Sequence, residues 1–119
     1  PVEPVGWDMV GQALKAGHII HATKDAPSTI CDALQPTATK QVNLDLLKNR
    51  AEPGVTVTDE EVRTAQRWAF ANLRMVIEPG GAAALAAALA GKVPVDPHTA
   101  IMITGGNADP AHFAETIAV

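Results

Sequence analysis

A glycine-rich turn near the end of the chain carries residue types that could bind a ligand. It reads Thr104, Gly105, Gly106 and Asn107, and it follows the apolar run at residues 101–103. Such a run bounded by turn residues predicts a buried strand, whose carboxyl end lies at the ligand-binding edge of an open α/β sheet. Glycines let backbone approach a ligand, and the Thr104 hydroxyl is an uncharged donor and acceptor. This chemistry suits a neutral ring nitrogen better than a phosphate, although a plain turn has the same composition.

A second turn, formed by Glu78, Pro79, Gly80 and Gly81, immediately precedes a segment of almost continuous alanine and leucine. Glycines at such a place permit close packing between a strand and the helix that follows, so a purely structural turn is one interpretation. The other interpretation places the Glu78 carboxylate at a ligand edge, beside the amide-rich beginning of the helix. The spacing alone leaves both open.

Composition restricts the classes of function. The 119 residues, with a formal charge of −4, suffice for one domain or part of one and give no basic field to attract nucleic acid or an anionic membrane. Cys31 is the single cysteine, so we expect neither an internal disulfide nor a zinc site, and a reducing cytoplasm fits. No apolar run is long enough to cross a membrane. Because the chain starts at Pro1, we expect a processed start or a piece of a longer protein.

The first half of the chain predicts short elements joined by loops. Asp8 is a candidate N-cap for a helix that Gly17 ends. A strand at residues 18–21, a loop at 24–39 with one helical turn at 30–34, and a helix at 43–49 follow.

The second half predicts an alternation of strands and helices. After a strand at Val55–Val57, Thr58 and Glu61 form a capping box for a helix whose apolar face carries Val62, Ala65, Ala69 and Leu73. The alanine-rich segment 81–90 predicts a buried helix that stops at Gly91. A strand at residues 100–103 and a helix from Pro110 to Ile117 complete a βαβα order. This order predicts a single α/β domain with parallel strands over residues 1–119.

Five segments occur in an order that resembles the serine and threonine dehydratases. The segments are EPGGAAALAAALAG at 78–91, ITGGNADP at 103–110, VEP at 2–4, STICDAL at 28–34 and GVTVTDEEVRTAQRWAF at 54–70. That family belongs to the tryptophan synthase β-like, fold type II pyridoxal phosphate enzymes and includes serine racemase. The resemblance implies that the chain is the C-terminal portion of the large, catalytic domain of such an enzyme. It also implies that this portion is a partial parallel sheet flanked by helices. It also implies β-elimination of a hydroxy amino acid to a 2-oxo acid and ammonia.

The resemblance also implies cofactor-binding positions. The hydroxyl of Thr104 matches the residue that bonds the pyridine nitrogen, where dehydratases more often have Ser, and Gly105 follows it in the motif. A neutral partner leaves that nitrogen largely unprotonated. Glu78 matches a glutamate near the ring. Asp32 and Ala33 match a loop that passes the site, where relatives often have Asp-Gly.

Several relatives bind a divalent cation, and the resemblance assigns its ligands to Glu3 and to the backbone carbonyl of Trp7. The second carboxylate of those relatives is replaced here by Met9, and a thioether is a poor ligand for Mg²⁺ or Ca²⁺. Asp8 could substitute only with a shift in register.

The lysine that holds the cofactor covalently in this family, its glycine-rich phosphate loop and its substrate-carboxylate loop have no counterpart in the sequence. Lys24 and Lys40 lie in predicted loops without the surrounding signals of such a lysine. We therefore expect the isolated chain to bind no pyridoxal phosphate and to have no dehydratase activity, whereas the complete enzyme would use both cofactor and amino acid substrate and form a homo-oligomer. The alternative is a stand-alone folded or oligomerising module derived from such an enzyme.

Overall fold

The computed structural model describes residues 1–118. Within this range two strands and five α-helices follow one another in the order β1 (Val2–Pro4), α1 (Met9–Ala16), α2 (Gln41–Leu47), β2 (Val55–Val57), α3 (Asp59–Leu73), α4 (Pro79–Leu89) and α5 (Pro110–Ile117). A 3-10 turn at Asp32–Leu34 lies between α1 and α2. The elements form an α/β fold with a small parallel sheet, as the sequence predicts.

The sheet consists of β1 and β2, which pair in parallel. Val2 lies opposite Val55, and Pro4 lies opposite Val57. One more backbone bond extends the pairing, since the Val5 amide donates to the Val57 carbonyl oxygen at 3.0 Å. Both strands pack against α4, so this helix covers the sheet.

The helix α3 begins as the sequence predicts. The Thr58 side chain accepts a hydrogen bond from the Glu61 amide at 3.3 Å, and the Glu61 carboxylate accepts one from the Thr58 amide at 2.7 Å. Two amides that have no partner inside the helix are satisfied in this way. The Glu61 carboxylate also pairs with Lys92 at 2.7 Å, which joins the start of α3 to the segment after α4.

The helix α4 is the centre of the core. Its alanines present little side-chain bulk, so α3, β1 and β2 can all approach it closely. The buried residues around it are Cys31, Val57, Val62, Ala65, Ala69, Ile77, Ala82, Ala83, Leu85, Ala86 and Ala87. The predicted buried helix is therefore confirmed, and Gly91 follows it in a left-handed conformation with φ of +67°. Burial raises the pKa of the Cys31 thiol to about 11, as expected for a core residue.

The last helix, α5, has the bounds that the sequence predicts. It begins at Pro110, and the Asp109 side chain accepts a hydrogen bond from the His112 amide at 2.9 Å. The helix packs against α3, where Phe70 and Phe113 meet edge to face with ring centroids 5.6 Å apart.

Two predicted strands are wrong. Residues 18–21 form no strand, and His21 makes only an isolated antiparallel bridge with Ala38. Residues 100–103 form no strand and pair with none in the described part of the chain. Ile101 and Ile103 pack against the core while Met102 is 73% exposed, so the burial alternates as in a strand. An apolar run predicts which side chains are buried, but a strand also needs a neighbouring backbone to pair with.

Three smaller predictions also need correction. Asp8 occupies the N-cap position of α1 as predicted, but its side chain makes no capping hydrogen bond and accepts one from the Gln12 side chain at 3.1 Å. The second helix covers Gln41–Leu47 and so begins and ends two residues earlier than predicted. Leu73 is not on the buried face of α3. It is the last helical residue and 43% exposed, and the chain turns at Arg74 with φ of +59°.

In the described part of the chain, no helix is both long and apolar enough to cross a membrane.

Candidate functional site

The first turn of α4 is the point where the predicted ligand-binding residues meet. Glu78 precedes the helix in an extended conformation, and Pro79 occupies the first helical position. Proline suits that position, because its fixed φ matches the helix and its missing amide would have no partner there. The next two residues, Gly80 and Gly81, expose the backbone of this turn to the segments around it.

Thr104 lies against Gly81. The Thr104 amide donates to the Gly81 carbonyl oxygen at 3.3 Å. A β-carbon at Gly81 would overlap the Thr104 carbonyl oxygen, so no larger residue fits while this contact persists. The contact therefore requires glycine, which is the close-packing role that the sequence left open for this turn.

Gly105 and Glu78 are held together next to this contact. The Glu78 amide donates to the Gly105 carbonyl oxygen at 3.1 Å. Gly105 has φ of +68°, a conformation that L side chains rarely adopt, and a β-carbon there would overlap the Glu78 carboxylate. The backbone of Gly105 therefore lies directly against the carboxyl group of Glu78.

Ala33, which belongs to the 3-10 turn, lies close to Gly80 at the start of α4. A β-carbon built on Gly80 would lie 3.8 Å from the Ala33 β-carbon and 3.3 Å from the Leu34 γ-carbon. The Asp32 carboxylate accepts a hydrogen bond from the Ala33 amide at 2.7 Å and so fixes the direction of the loop. The four residues predicted to bind the cofactor are therefore brought together around one helical turn: Ala33, Glu78, Thr104 and Gly105.

The groups at this turn fit a neutral heteroaromatic ring. Thr104 and Gly105 are exposed and Glu78 is half-buried. The hydrogen bond that Thr104 donates here comes from its backbone amide, so its hydroxyl is available to a ligand. The Glu78 carboxylate occupies the space that a Gly105 side chain would take, and the amides at the start of α4 lie nearby. A cavity of about 750 Å³ is lined in part by Asp32, Glu78 and Asn107, whereas Ala33, Thr104 and Gly105 do not line it.

No lysine lines this cavity within the described residues. Lys24 and Lys40 are both exposed and lie in the loops before α2.

The residues present at the predicted cation site do not fit a divalent cation. The Glu3 carboxylate accepts hydrogen bonds from the Val10 amide at 2.9 Å and the Gly11 amide at 2.8 Å, so it caps α1. Burial raises the pKa of Glu3, and these two amide bonds lower it by less. Met9 is 3% exposed, and the described residues contain no group of three carboxylate, His or Cys side chains that could hold a metal.

Trp7 also has a structural contact of its own, because its indole nitrogen donates to the Pro27 carbonyl oxygen at 2.7 Å. Cation binding by Glu3 and Trp7 stays an untested prediction that the donor set does not favour.

Two structural tasks, those of Glu3 and Gln66, were missed from the sequence. Glu3 caps a helix that begins six residues further along the chain, which is outside the local capping patterns. Gln66 lies on the buried face of α3 and donates from its side-chain nitrogen to the Ile77 carbonyl oxygen at 2.7 Å. A polar residue beside Val62, Ala65 and Ala69 was the available signal for it.

Comparison with known proteins gives a consistent set of relatives. A family model described as pyridoxal-phosphate dependent enzyme matches residues 1–105. A serine racemase from Schizosaccharomyces pombe is 32% identical over 114 residues, which are 95% of this chain and 35% of that protein. A beta-hydroxyaspartate dehydratase from Paracoccus denitrificans is 34% identical over 113 residues, 90% of this chain and 33% of that protein.

Among solved structures, a threonine deaminase from T.th. aligns with a TM-score of 0.80 at 31% identity, covering 91% of this chain and 36% of that one. The chain therefore spans about a third of the length of the relatives it matches.

The role of Glu3 can be tested by Glu3→Gln. A glutamine offers one acceptor oxygen to two amides, so one amide would face an NH₂ group without a partner. We expect the free energy of unfolding to fall by about 1–3 kcal/mol, measured by urea denaturation. Glu52→Gln, at an exposed site, should change it by less than about 0.5 kcal/mol.

If Glu3 serves as a cap, adding Mg²⁺ or Ca²⁺ should leave the Tm of the unmodified chain unchanged. A rise in Tm that disappears in Glu3→Gln would contradict this account.

Proposed function

The chain belongs to the pyridoxal-phosphate dependent enzyme family, and from that premise we propose that it is the cofactor-orienting portion of a lyase. The reaction would convert a hydroxy amino acid to a 2-oxo acid and ammonia by β-elimination. The observation that carries the proposal is the meeting of Ala33, Glu78, Thr104 and Gly105 at the first turn of α4. Relatives named as a dehydratase and a deaminase support the reaction class.

Thr104 has the central task in this proposal. Its hydroxyl would hydrogen-bond the pyridine nitrogen of the cofactor and so fix the rotation of the ring. A hydroxyl is a neutral partner, so it would not stabilise a protonated nitrogen as a carboxylate would. When bound, pyridoxal phosphate supplies the electron sink for removal of the α-proton and the β-hydroxyl. A neutral ring nitrogen makes that sink moderate, which is suited to elimination.

The other residues of the turn shape the space for the ring. Gly105 would let Glu78 take its place at the site, because the Glu78 carboxylate occupies the space where a β-carbon of residue 105 would lie. Glu78 would lie beside the ring edge, held there by the bond between its amide and the Gly105 carbonyl oxygen. Ala33 would bound the site from the 3-10 turn, where its amide is held by Asp32.

Catalysis would need more than this chain supplies, because covalent anchorage and proton transfer require a side chain such as lysine. We therefore propose that the isolated chain has no dehydratase activity and binds no pyridoxal phosphate. A homo-oligomeric complete enzyme in the cytoplasm is part of the same proposal.

The alternative function is that of a folded or assembling module without catalysis. The segment before α4 favours it, because Met75 and Val76 are 44% and 48% exposed and that segment pairs with no strand among the described residues. Extended segments with free backbone groups recruit other chains.

The role of Thr104 is tested in the complete enzyme with Thr104→Val, which removes the hydroxyl at nearly constant size. We expect kcat for deamination of threonine or serine to fall by about tenfold with the cofactor still bound, because one oriented hydrogen bond is lost. Thr104→Ser should recover most of the rate.

The exposed Thr23 offers a matched control, and Thr23→Val should leave kcat unchanged. Equal rates for Thr104→Val and the unmodified enzyme would contradict the assignment of Thr104.

The isolated chain provides a second test. Incubated with pyridoxal phosphate and threonine, it should form no 2-oxobutanoate, and titration should show no saturable change in cofactor absorbance. Turnover at ordinary enzyme rates would contradict the proposal that the chain lacks the groups for covalent anchorage and proton transfer. Light scattering on the same preparation addresses the alternative, since a stable dimer supports an assembling module and a monomer counts against it.

A further inference from the structure

Gln66 is a buried polar residue in an apolar layer. It is 3% exposed and lies on α3 beside the fully buried Ala65 and Ala69. Its side-chain nitrogen donates to the Ile77 carbonyl oxygen at 2.7 Å. Its side-chain oxygen is also buried and has no hydrogen-bond partner among the described residues. An unpaired buried oxygen costs free energy, so an apolar side chain of the same size would serve packing alone better.

The carbonyl that Gln66 binds belongs to the peptide unit between Ile77 and Glu78. This unit is planar, so fixing the Ile77 carbonyl oxygen also fixes the direction of the Glu78 amide. The Glu78 amide donates to the Gly105 carbonyl oxygen at 3.1 Å. Gln66 and Gly105 therefore hold one peptide plane from its two opposite ends.

No strand ladder holds this peptide unit in the described part of the chain. Residues 74–78 belong to neither a helix nor a strand there, and Glu78 has an extended backbone. Ile77 is buried at 1% exposure, but the preceding Met75 and Val76 are both more than 40% exposed. The hydrogen bond from α3 takes the place of the sheet bond that a central strand would have.

We propose that Gln66 is a positioning residue that sets the orientation of Glu78 and, through its amide, of the Gly105 turn. The consequence for the cofactor rests on the proposed function, whereas the positioning itself does not. This orientation accounts for a polar side chain at position 66 in the core, although its unpaired oxygen lowers the free energy of unfolding.

The test is Gln66→Met, which keeps the size and flexibility of the side chain and removes the donor. In the cofactor-free 119-residue chain, we expect hydrogen exchange of the Glu78 amide to accelerate by about tenfold. The free energy of unfolding should change by less than about 1 kcal/mol, because the unpaired Gln66 oxygen is removed while the Ile77 carbonyl oxygen loses its donor. The reference is the Val62 amide within α3, which donates to the Thr58 carbonyl oxygen at 3.1 Å and should keep its exchange rate.

Gln12→Met is the matched control. Gln12 is a half-buried glutamine on α1, and its side chain donates to the Asp8 carboxylate at 3.1 Å. It should leave the Glu78 amide unchanged. If Gln66→Met changes exchange at Glu78 no more than at Val62, the positioning role is wrong. If both Gln66→Met and Gln66→Leu fail to fold, the core itself needs the glutamine, and the proposal is likewise overturned.

The complete enzyme separates this inference from the proposed function. Faster exchange at Glu78 together with a shifted cofactor absorption spectrum in Gln66→Met supports both. Faster exchange with an unchanged spectrum supports the positioning by Gln66 and counts against a place for Glu78 beside the ring.

Discussion

The site depends on the absence of a side chain at Gly81. Because Gly81 has only hydrogen on its α-carbon, the Thr104 carbonyl oxygen can lie against the first turn of α4, and the Thr104 amide can reach the Gly81 carbonyl oxygen. Gly105 then falls beside Glu78, whose amide it binds. A larger residue at position 81 would push the turn at Thr104 and Gly105 away from the start of α4. Thr104 and Gly105 would then no longer lie beside Glu78.

The core makes this close contact rigid. The helix α4 is built from small apolar residues, and it packs against α3 and the parallel strands β1 and β2. Alanine contributes little bulk and loses no rotamer freedom, so the backbone of the helix is fixed at short distance from its neighbours. A polar contact from the Gln66 side chain to the Ile77 carbonyl oxygen joins α3 to the segment that leads into the site. Packing thus locates the turn, and hydrogen bonds set the orientation of its peptide units.

The sequence predicts the parts of this structure whose causes are local. The capping box of Thr58 and Glu61, the buried alanine helix and the bounds of α5 each follow from residues within one or two turns. The predicted strands at 18–21 and 100–103 failed because pairing depends on a distant backbone that side-chain patterns do not specify. The cap of α1 by Glu3 was missed for the same reason, since the carboxylate arrives from a neighbouring strand.

The sequence predicted which residues form the candidate site but not how they are arranged in space. Thr104 and Glu78 were identified from their motifs, but only the structure shows that two glycines let those motifs touch. The most direct test compares Gly81→Ala with Gly80→Ala, two neighbouring positions on the same helix. A β-carbon at Gly80 meets the flexible Leu34 side chain at 3.3 Å and the Ala33 β-carbon at an ordinary contact distance of 3.8 Å. The higher helix propensity of alanine should therefore leave the free energy of unfolding equal or up to about 1 kcal/mol higher. Gly81→Ala should lower it by about 2–3 kcal/mol, because the Thr104 backbone must move. Equal stability of the two variants, measured by urea denaturation, would contradict the account.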